Sequence, residues 1–176
     1  KLLTKGLPTG EKVGRMGIAI APSNPNVLYI ICDHRGVGGE VYRSDNKGES
    51  WRKTHEGNVK TGIGYDFCLI RVLPDNADEI FICGFNLLYS SDAGKTHTSI
   101  SQRTIPMLSY KARRATPHCD NHDMFIDPDD PDRVMLGTDG GLYISHDRAK
   151  TWLHVNTLPI AEFYAISVDA REPYKI

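Results

Sequence analysis

An eight-residue frame occurs three times in this chain and narrows what it can fold into. It reads Ser44-Asp45-Asn46-Lys47-Gly48-Glu49-Ser50-Trp51, then Ser90-Ser91-Asp92-Ala93-Gly94-Lys95-Thr96-His97, then Ser145-His146-Asp147-Arg148-Ala149-Lys150-Thr151-Trp152. The shared pattern is Ser, any, Asp or Asn, any, Gly or Ala, any, Ser or Thr, and a final Trp or His. A second marker precedes each copy. It runs Ala21-Pro22-Ser23-Asn24-Pro25-Asn26-Val27-Leu28-Tyr29, Leu73-Pro74-Asp75-Asn76-Ala77-Asp78-Glu79-Ile80-Phe81 and Asp127-Pro128-Asp129-Asp130-Pro131-Asp132-Arg133-Val134-Met135. The markers recur about 52 to 54 residues apart, a spacing of propeller blades rather than helical repeats.

Each unit carries four short β-type runs. In the third they fall at about 123–126, 133–136, 141–145 and 152–155. The Pro-led marker reads as the turn between the first and second runs, because Pro presets a turn and cannot sit in a central strand. The Ser/Asp frame reads as the turn between the third and fourth. Its Ser and Asp side chains can bond nearby amides, its Gly accepts positive φ, and its Trp packs back into the sheet. His97 in place of Trp and Ala149 in place of Gly predict two less ideal turns. The fold class is therefore all-β: a partial β-propeller of about three four-stranded antiparallel blades. The blades are expected at about 14–57, 63–101 and 119–157, all in one domain over 1–176. Phe163-Tyr164-Ala165-Ile166-Ser167-Val168-Asp169 alternates as a strand does, and Glu172-Pro173 opens a turn, so 162–176 reads as the start of a fourth blade. Three blades do not close a ring, which takes about four to eight. The remaining blades are expected from the parent chain or a partner, because open flanks would expose apolar faces.

Composition excludes several function classes. A net charge of −1 gives no electrostatic case for nucleic acid or an anionic membrane. The longest apolar runs, such as Leu28 to Cys32, fall far short of the roughly 18 residues of a membrane span. The chain starts at Lys1 without Met or an apolar signal segment, which predicts a processed chain or a fragment. Cys32, Cys68 and Cys83 lie in apolar runs and read as small core residues; with Cys119 they form no CxxC spacing and predict no disulfide framework. No cofactor is expected.

In a propeller, the segment leading into each first strand and the loop between the second and third strands open on one face, where ligands bind. The Ser/Asp turns lie on the other. The richest polar stretch falls on the first kind of segment: Pro117-His118-Cys119-Asp120-Asn121-His122-Asp123. It follows a basic connector from Gln102 to Thr116 with Lys111, Arg113 and Arg114. The facing loop is Gly137-Thr138-Asp139-Gly140-Gly141, and its counterpart in the first unit is Asp33-His34-Arg35-Gly36-Val37-Gly38-Gly39. In the second unit that loop is short, Gly84-Phe85-Asn86, and Tyr65 and Asp66 lead in.

Three readings of the cluster stand side by side. Asp123 or Asp120 is one of the two carboxylates that glycoside hydrolysis requires. Alternatively His118, Asp120 and His122 alternate along a strand and bind a metal from one side. Alternatively the His and Asp side chains bond backbone and fix the loop. Asp139 reads more readily as a turn residue than as a ligand contact. His118, His122, Asp139, Asp33 and His34 are the candidate ligand contacts, while Trp51, Trp152, Tyr143, Phe163 and Tyr164 read as packing.

With these residues laid out, the chain resembles Asp-box (bacterial neuraminidase repeat) propellers over its full length, nearest the sortilin-like and xyloglucanase-like glycosyl hydrolase branch. His118-Cys119-Asp120-Asn121-His122-Asp123 through Ile126-Asp127-Pro128 resembles that branch's His-any-Asp-any-His…Asp-Pro signature. Gly137-Thr138-Asp139-Gly140-Gly141-Leu142-Tyr143-Ile144-Ser145 matches its Gly-any-Asp-Gly-Gly-any-Tyr-any-Ser signature. The resemblance implies a secreted or cell-envelope module. In the xyloglucan-cleaving relatives a catalytic Asp precedes the Ile-Asp-Pro turn, and Asp123 falls there. If the chain is an enzyme, the resemblance implies a glycoside hydrolase of the endoglucanase or xyloglucanase kind, acting on or binding polysaccharide at the channel mouth. The sortilin side of the resemblance implies instead a non-catalytic propeller that binds a peptide or protein partner. Neither sialidase hallmark, an arginine triad or a Tyr/Glu pair, can be assembled from the sequence.

Overall fold

A computed structural model describes residues 3, 5–35, 38–64, 67–100, 116–159 and 167. The connector 102–115, the fourth-blade segment around Phe163 and Tyr164, Gly36, Val37, Tyr65 and Asp66 lie outside the described residues. The described chain is all-β. The strands are β1 (Val13–Ile20), β2 (Leu28–His34), β3 (Gly38–Ser44), β4 (Arg52–Lys53), β5 (Leu69–Val72), β6 (Ile80–Cys83), β7 (Leu87–Ser90), β8 (Thr98–Ser99), β9 (Asn121–Ile126), β10 (Val134–Thr138), β11 (Gly141–Ser145) and β12 (Leu153–Val155). They form three four-stranded antiparallel meanders, β1–β4, β5–β8 and β9–β12. Sheet β1–β4 packs on β5, and β5 and β6 pack on β9, so the first strands succeed one another as the inner strands of a propeller. Among the described residues no helix is long and apolar enough to cross a membrane.

The repeated Ser/Asp frame is a self-contained polar turn. In all three copies the Ser hydroxyl accepts the amide four residues on at 2.9 Å, from Gly48, Gly94 and Ala149. The Asn or Asp oxygen then accepts the amide of Ser50, Thr96 or Thr151 at 3.0, 2.9 and 2.7 Å. Two consecutive residues take positive φ in each copy: Lys47 and Gly48, Ala93 and Gly94, Arg148 and Ala149. The sequence pattern points to only the second of each pair. The first has a task of its own. Its amide donates to the carbonyl of the Pro-led turn: Lys47 to Asn26 at 2.9 Å, Ala93 to Asp78 at 2.8 Å and Arg148 to Asp132 at 3.0 Å. That bond couples the two sequence markers. The terminal Trp51 and Trp152 are buried packing residues, as expected; their indole nitrogens and His97 Nε2 have no partner among the described residues.

Alternation along the strands gives each sheet two faces. Ile31 and Val41 from the first sheet meet Ile70, Ile82 and Leu88 from the second. Phe81 and Leu87 from the second meet Met124, Leu136, Tyr143 and Trp152 from the third. The approach is tight: a Cβ on Gly17 would strike the Cys68 carbonyl. Cys32 and Cys83 are buried free thiols within strands, whereas Cys68 sits one residue before β5 and its Sγ donates to Arg15 O at 3.3 Å. Two arginines seal the turn end. Arg43 binds Asp78 and donates to Tyr29 Oη at 2.7 Å, and Tyr29 in turn donates to Ala77 O at 2.9 Å. Arg148 reaches Asp75 at 2.6 Å and Asp132 at 3.1 Å. The Pro-led turn of the second sheet is thus gripped from both neighbours. The outer flank of the third sheet carries Phe125, Met135, Ile144 and Leu153 paired in one row across four strands, and Phe125 is 50% exposed.

Gly94 has φ +80, and a Cβ there would lie 2.9 Å from Thr54 Oγ1, whose hydroxyl donates to Gly94 O across the sheet interface at 2.8 Å. Gly94→Ala is expected to cost about 1–3 kcal/mol, read as a shift in the urea midpoint at unchanged slope. His97 meets His55 edge-on at 5.0 Å across the same interface. Burial first, then repulsion from His55, pushes its pKa down to about 4. A depressed histidine contributes stability that is complete above its unfolded value of about 6.5 and is lost as pH falls toward the folded value. The melting temperature should therefore fall from pH 6.5 to 5, a window above most carboxylate titrations, and His97→Phe should flatten that dependence.

Candidate functional site

The end of the sheets opposite the Ser/Asp turns holds the candidate residues. Two inner strands are irregular there. The β1–β2 register shifts between Val13 and Met16, and the β9–β10 register shifts so that Gly137 opposes Asp123 while Thr138 opposes Asn121. His122 is the extra residue of that second bulge. A bulged residue leaves the ladder and its side chain is re-aimed. The loop β10–β11 catches it: His122 Nε2 lies 2.7 Å from Asp139 Oδ1, and both side chains are about half exposed. Phe67, leading into β5, adds an aromatic ring whose centroid is 5.5 Å from the imidazole. Asp139, expected chiefly as a turn residue, thus orients an imidazole.

Asp123 points elsewhere. Arg71 Nη2 donates to its Oδ1 at 3.0 Å and Arg71 Nε to the Met124 carbonyl at 2.9 Å, while the Met124 amide donates to the same Oδ1 at 2.8 Å. The carboxylate is 78% exposed and tied to the neighbouring sheet. An arginine within an otherwise apolar inner strand, Leu69-Ile70-Arg71-Val72, signals that the side chain has a polar partner, but not which one.

The alternating metal set expected from His118, Asp120 and His122 does not form. The strand starts only at Asn121, and Asp120 takes φ 60, which breaks the alternation before it begins. His122 goes to Asp139. Cys119 takes its place beside His118 and Asp120: Sγ lies 3.6 Å from His118 Nδ1 and donates to Asp120 Oδ2 at 3.2 Å. Burial, then the hydrogen bond and charge of Asp120, push the Cys119 thiol up to about 11. The segment is clamped by the short loop of the second sheet. Asp120 N donates to Phe85 O at 2.8 Å and Asn121 N to Gly84 O at 3.2 Å. Asn121 is buried and its Nδ2 donates to Gly84 O at 2.9 Å, leaving Oδ1 without a partner among the described residues.

The first-sheet candidates stand apart. The Asp33 carboxylate is packed between the backbones of Gly14 and Gly64. His34 Nδ1 lies 3.2 Å from Glu40, a residue that sequence reasoning passed over. Glu40 also accepts from Tyr42 at 2.7 Å and Lys53 at 2.6 Å. Burial opposes its ionisation, but those donors prevail and hold the carboxyl below its ordinary range. A charged residue so fully paired braces the sheet rather than greeting a ligand. A separate cleft lined by Tyr89, Ile100, Arg148, Ala149 and Lys150 lies at the Ser/Asp-turn end, away from all of these groups.

No protein-family model and no curated protein matches the chain. Solved structures do resemble it. The Niastella koreensis GH74 enzyme superposes with a TM-score of 0.60 at 17% identity, over 83% of this chain and 23% of that one. The GH74 xyloglucanase from Xanthomonas campestris gives 0.59 at 18% identity, over 81% and 23%. YCF48 from Cyanidioschyzon merolae gives 0.52 at 19% identity, over 84% and 38%. At these identities the likeness establishes the partial β-propeller fold, and the chain spans less than half the length of each neighbour.

The His122–Asp139 pair is half exposed, so His122→Ala should change unfolding free energy by less than about 1 kcal/mol. Chemical denaturation measures this; a larger loss would make the pair a structural clamp.

Proposed function

We propose that this chain is part of a larger secreted propeller of glycoside-hydrolase-like kind, with polysaccharide bound at its channel mouth. The carrying observation is the bulged His122, held by Asp139 at 2.7 Å and flanked by Phe67. An imidazole and a carboxylate offer hydrogen bonds to sugar hydroxyls, and an aromatic ring offers an apolar face, which is the mixture small-molecule sites combine. Asp123 is the proposed reacting carboxylate, with Asp120, His118, Asp33 and His34 around the mouth. The blade limits 14–57, 63–101 and 119–157, with 162–176 opening the next, belong to the same reading. Further blades of the parent chain would cover the apolar row Phe125, Met135, Ile144 and Leu153. The GH74 neighbours support the hydrolase-like kind.

The purified protein is expected to bind β-glucans on a broad glycan panel. His122→Ala and Asp139→Asn should each weaken binding at least about tenfold, and in the parent protein with its further blades Asp123→Asn should abolish release of reducing ends. A panel without any binding overturns the reading. One observation favours a non-catalytic alternative: Arg71 already neutralises Asp123. A propeller of that kind binds a peptide or protein, and a structure of YCF48 bound to D1 peptide supports it. Specific peptide-array binding, together with silence on the glycan panel, would select it.

A further inference from the structure

Three consecutive residues, His118, Cys119 and Asp120, bring a nitrogen, a sulfur and a carboxylate oxygen within 4.8 Å of one another. Two of the separations are 3.6 Å for Nδ1 to Sγ and 3.2 Å for Sγ to Oδ2. In tetrahedral zinc sites, bonds of about 2.3 Å to sulfur and about 2.0 Å to nitrogen or oxygen place neighbouring donors about 3.5 Å apart. Those two separations therefore stand at nearly the spacing that a bound cation imposes, and the third lies within 4.8 Å. Neighbours in an extended chain point to opposite sides. Here Asp120 at φ 60 turns the chain so that all three converge.

The convergence is built from outside the segment. Phe85 O and Gly84 O of the second sheet accept the Asp120 and Asn121 amides, and the Asp139 amide donates to Asp120 O at 3.3 Å. Two separate loops thus hold the donor set. Cys119 is buried, with its thiol directed at the Asp120 carboxylate rather than into an apolar core.

We propose that His118, Cys119 and Asp120 form a site for a divalent transition metal of the zinc class, with a fourth position open to water or ligand. The sulfur donor selects against calcium and magnesium, which take oxygen. On binding, the Cys119 thiol releases its proton to solvent, and the Sγ–H to Asp120 hydrogen bond is exchanged for two metal bonds. His118 binds through Nδ1 with its proton on Nε2, giving up the present 2.9 Å contact of Nδ1 with the Cys119 carbonyl. Thiolate and carboxylate together balance the charge of the dication. His122 is outside the set. The proposal stands independently of the glycan reading.

The test uses the untagged, metal-stripped protein titrated with Co²⁺, whose bond to a thiolate gives a charge-transfer absorption in the near ultraviolet. The expected result is one equivalent bound with that absorption, and displacement by Zn²⁺. Cys119→Ser should remove the absorption and weaken Zn²⁺ binding at least about tenfold. Asp120→Asn, which keeps the thiol, should also weaken binding about tenfold or more. Cys68→Ser, at a thiol outside the cluster, should leave the absorption intact. No thiolate absorption in the parent protein overturns the proposal. So does absorption or affinity that survives both Cys119→Ser and Asp120→Asn, since the ion is then held elsewhere. If Cys119→Ser fails to fold, as read by circular dichroism, the Asp120→Asn result decides.

Discussion

Each sheet depends on one backbone hydrogen bond that its strand ladder does not supply. The amide of the fourth residue in the Ser/Asp turn donates to the carbonyl four residues past the first Pro of the preceding turn, at 2.8 to 3.0 Å in all three copies. It ties the β3–β4 corner to the β1–β2 corner, and likewise in the other two sheets. To aim that amide, Lys47, Ala93 and Arg148 all adopt left-handed φ, a conformation that costs a non-glycine residue roughly 1–2 kcal/mol. The cost is offset locally. The Ser hydroxyl and the Asn or Asp oxygen between them take at least two otherwise unbonded amides in each turn. Burial works against the charge of Asp92, but those amides and the Thr96 and Ser90 hydroxyls dominate and hold the carboxyl down near about 2. In the second and third copies the turn is therefore a carboxylate caged by amides, and in the first the neutral Asn46 oxygen takes the same place.

That rigidity divides the molecule into two ends with different work. At the caged end, charge is spent on holding sheets together: Arg43 and Arg148 grip the middle sheet's Pro-led turn from either side. At the other end the inner strands carry bulges, one loop residue takes left-handed φ without being glycine, and His, Asp and Cys side chains pair with one another. Irregular backbone persists only where the surroundings over-determine it. Here the surroundings are the neighbouring sheet's loop at Gly84 and Phe85, itself fixed to Thr61, whose hydroxyl accepts from Asn86 N at 2.7 Å. Precision at the mouth thus derives from the sheet next door rather than from the sheet that carries the residues.

This division explains what the sequence discloses. The turns are legible because Ser, Asp and Pro act on backbone a few residues away, so spacing carries the geometry. The three sheets and their order follow from the turns, and the buried Trp51 and Trp152 follow from the same frame. The cross-sheet contacts are not legible. Nothing local in Arg71 announces Asp123, and nothing in Arg148 announces Asp75, because the partner is chosen by which strands come to lie side by side. The alternation of His118, Asp120 and His122 misleads for a related reason. Period two holds only inside a strand, and β9 begins after two of the three have passed.

His122 and Asp123 are adjacent, yet their partners lie in different sheets. His122 is held within its own sheet by Asp139, and Asp123 is held across the interface by Arg71. One oxygen of Asp123 accepts from both the Arg71 guanidinium and the Met124 amide, so that carboxylate is committed to the interface between the second and third sheets. Glycoside hydrolysis, in the reading proposed above, needs a pair of carboxylates, one acid and one base or nucleophile. Among the described residues the other carboxylates at this end also have close neighbours: Asp33 packs between Gly14 and Gly64, Asp120 accepts from the Cys119 thiol, and Asp139 lies against His122. In that proposed reading the second carboxylate of the pair is assigned to a further blade. The proposed binding group, His122 with Asp139 and Phe67, is by contrast assembled from the second and third sheets alone.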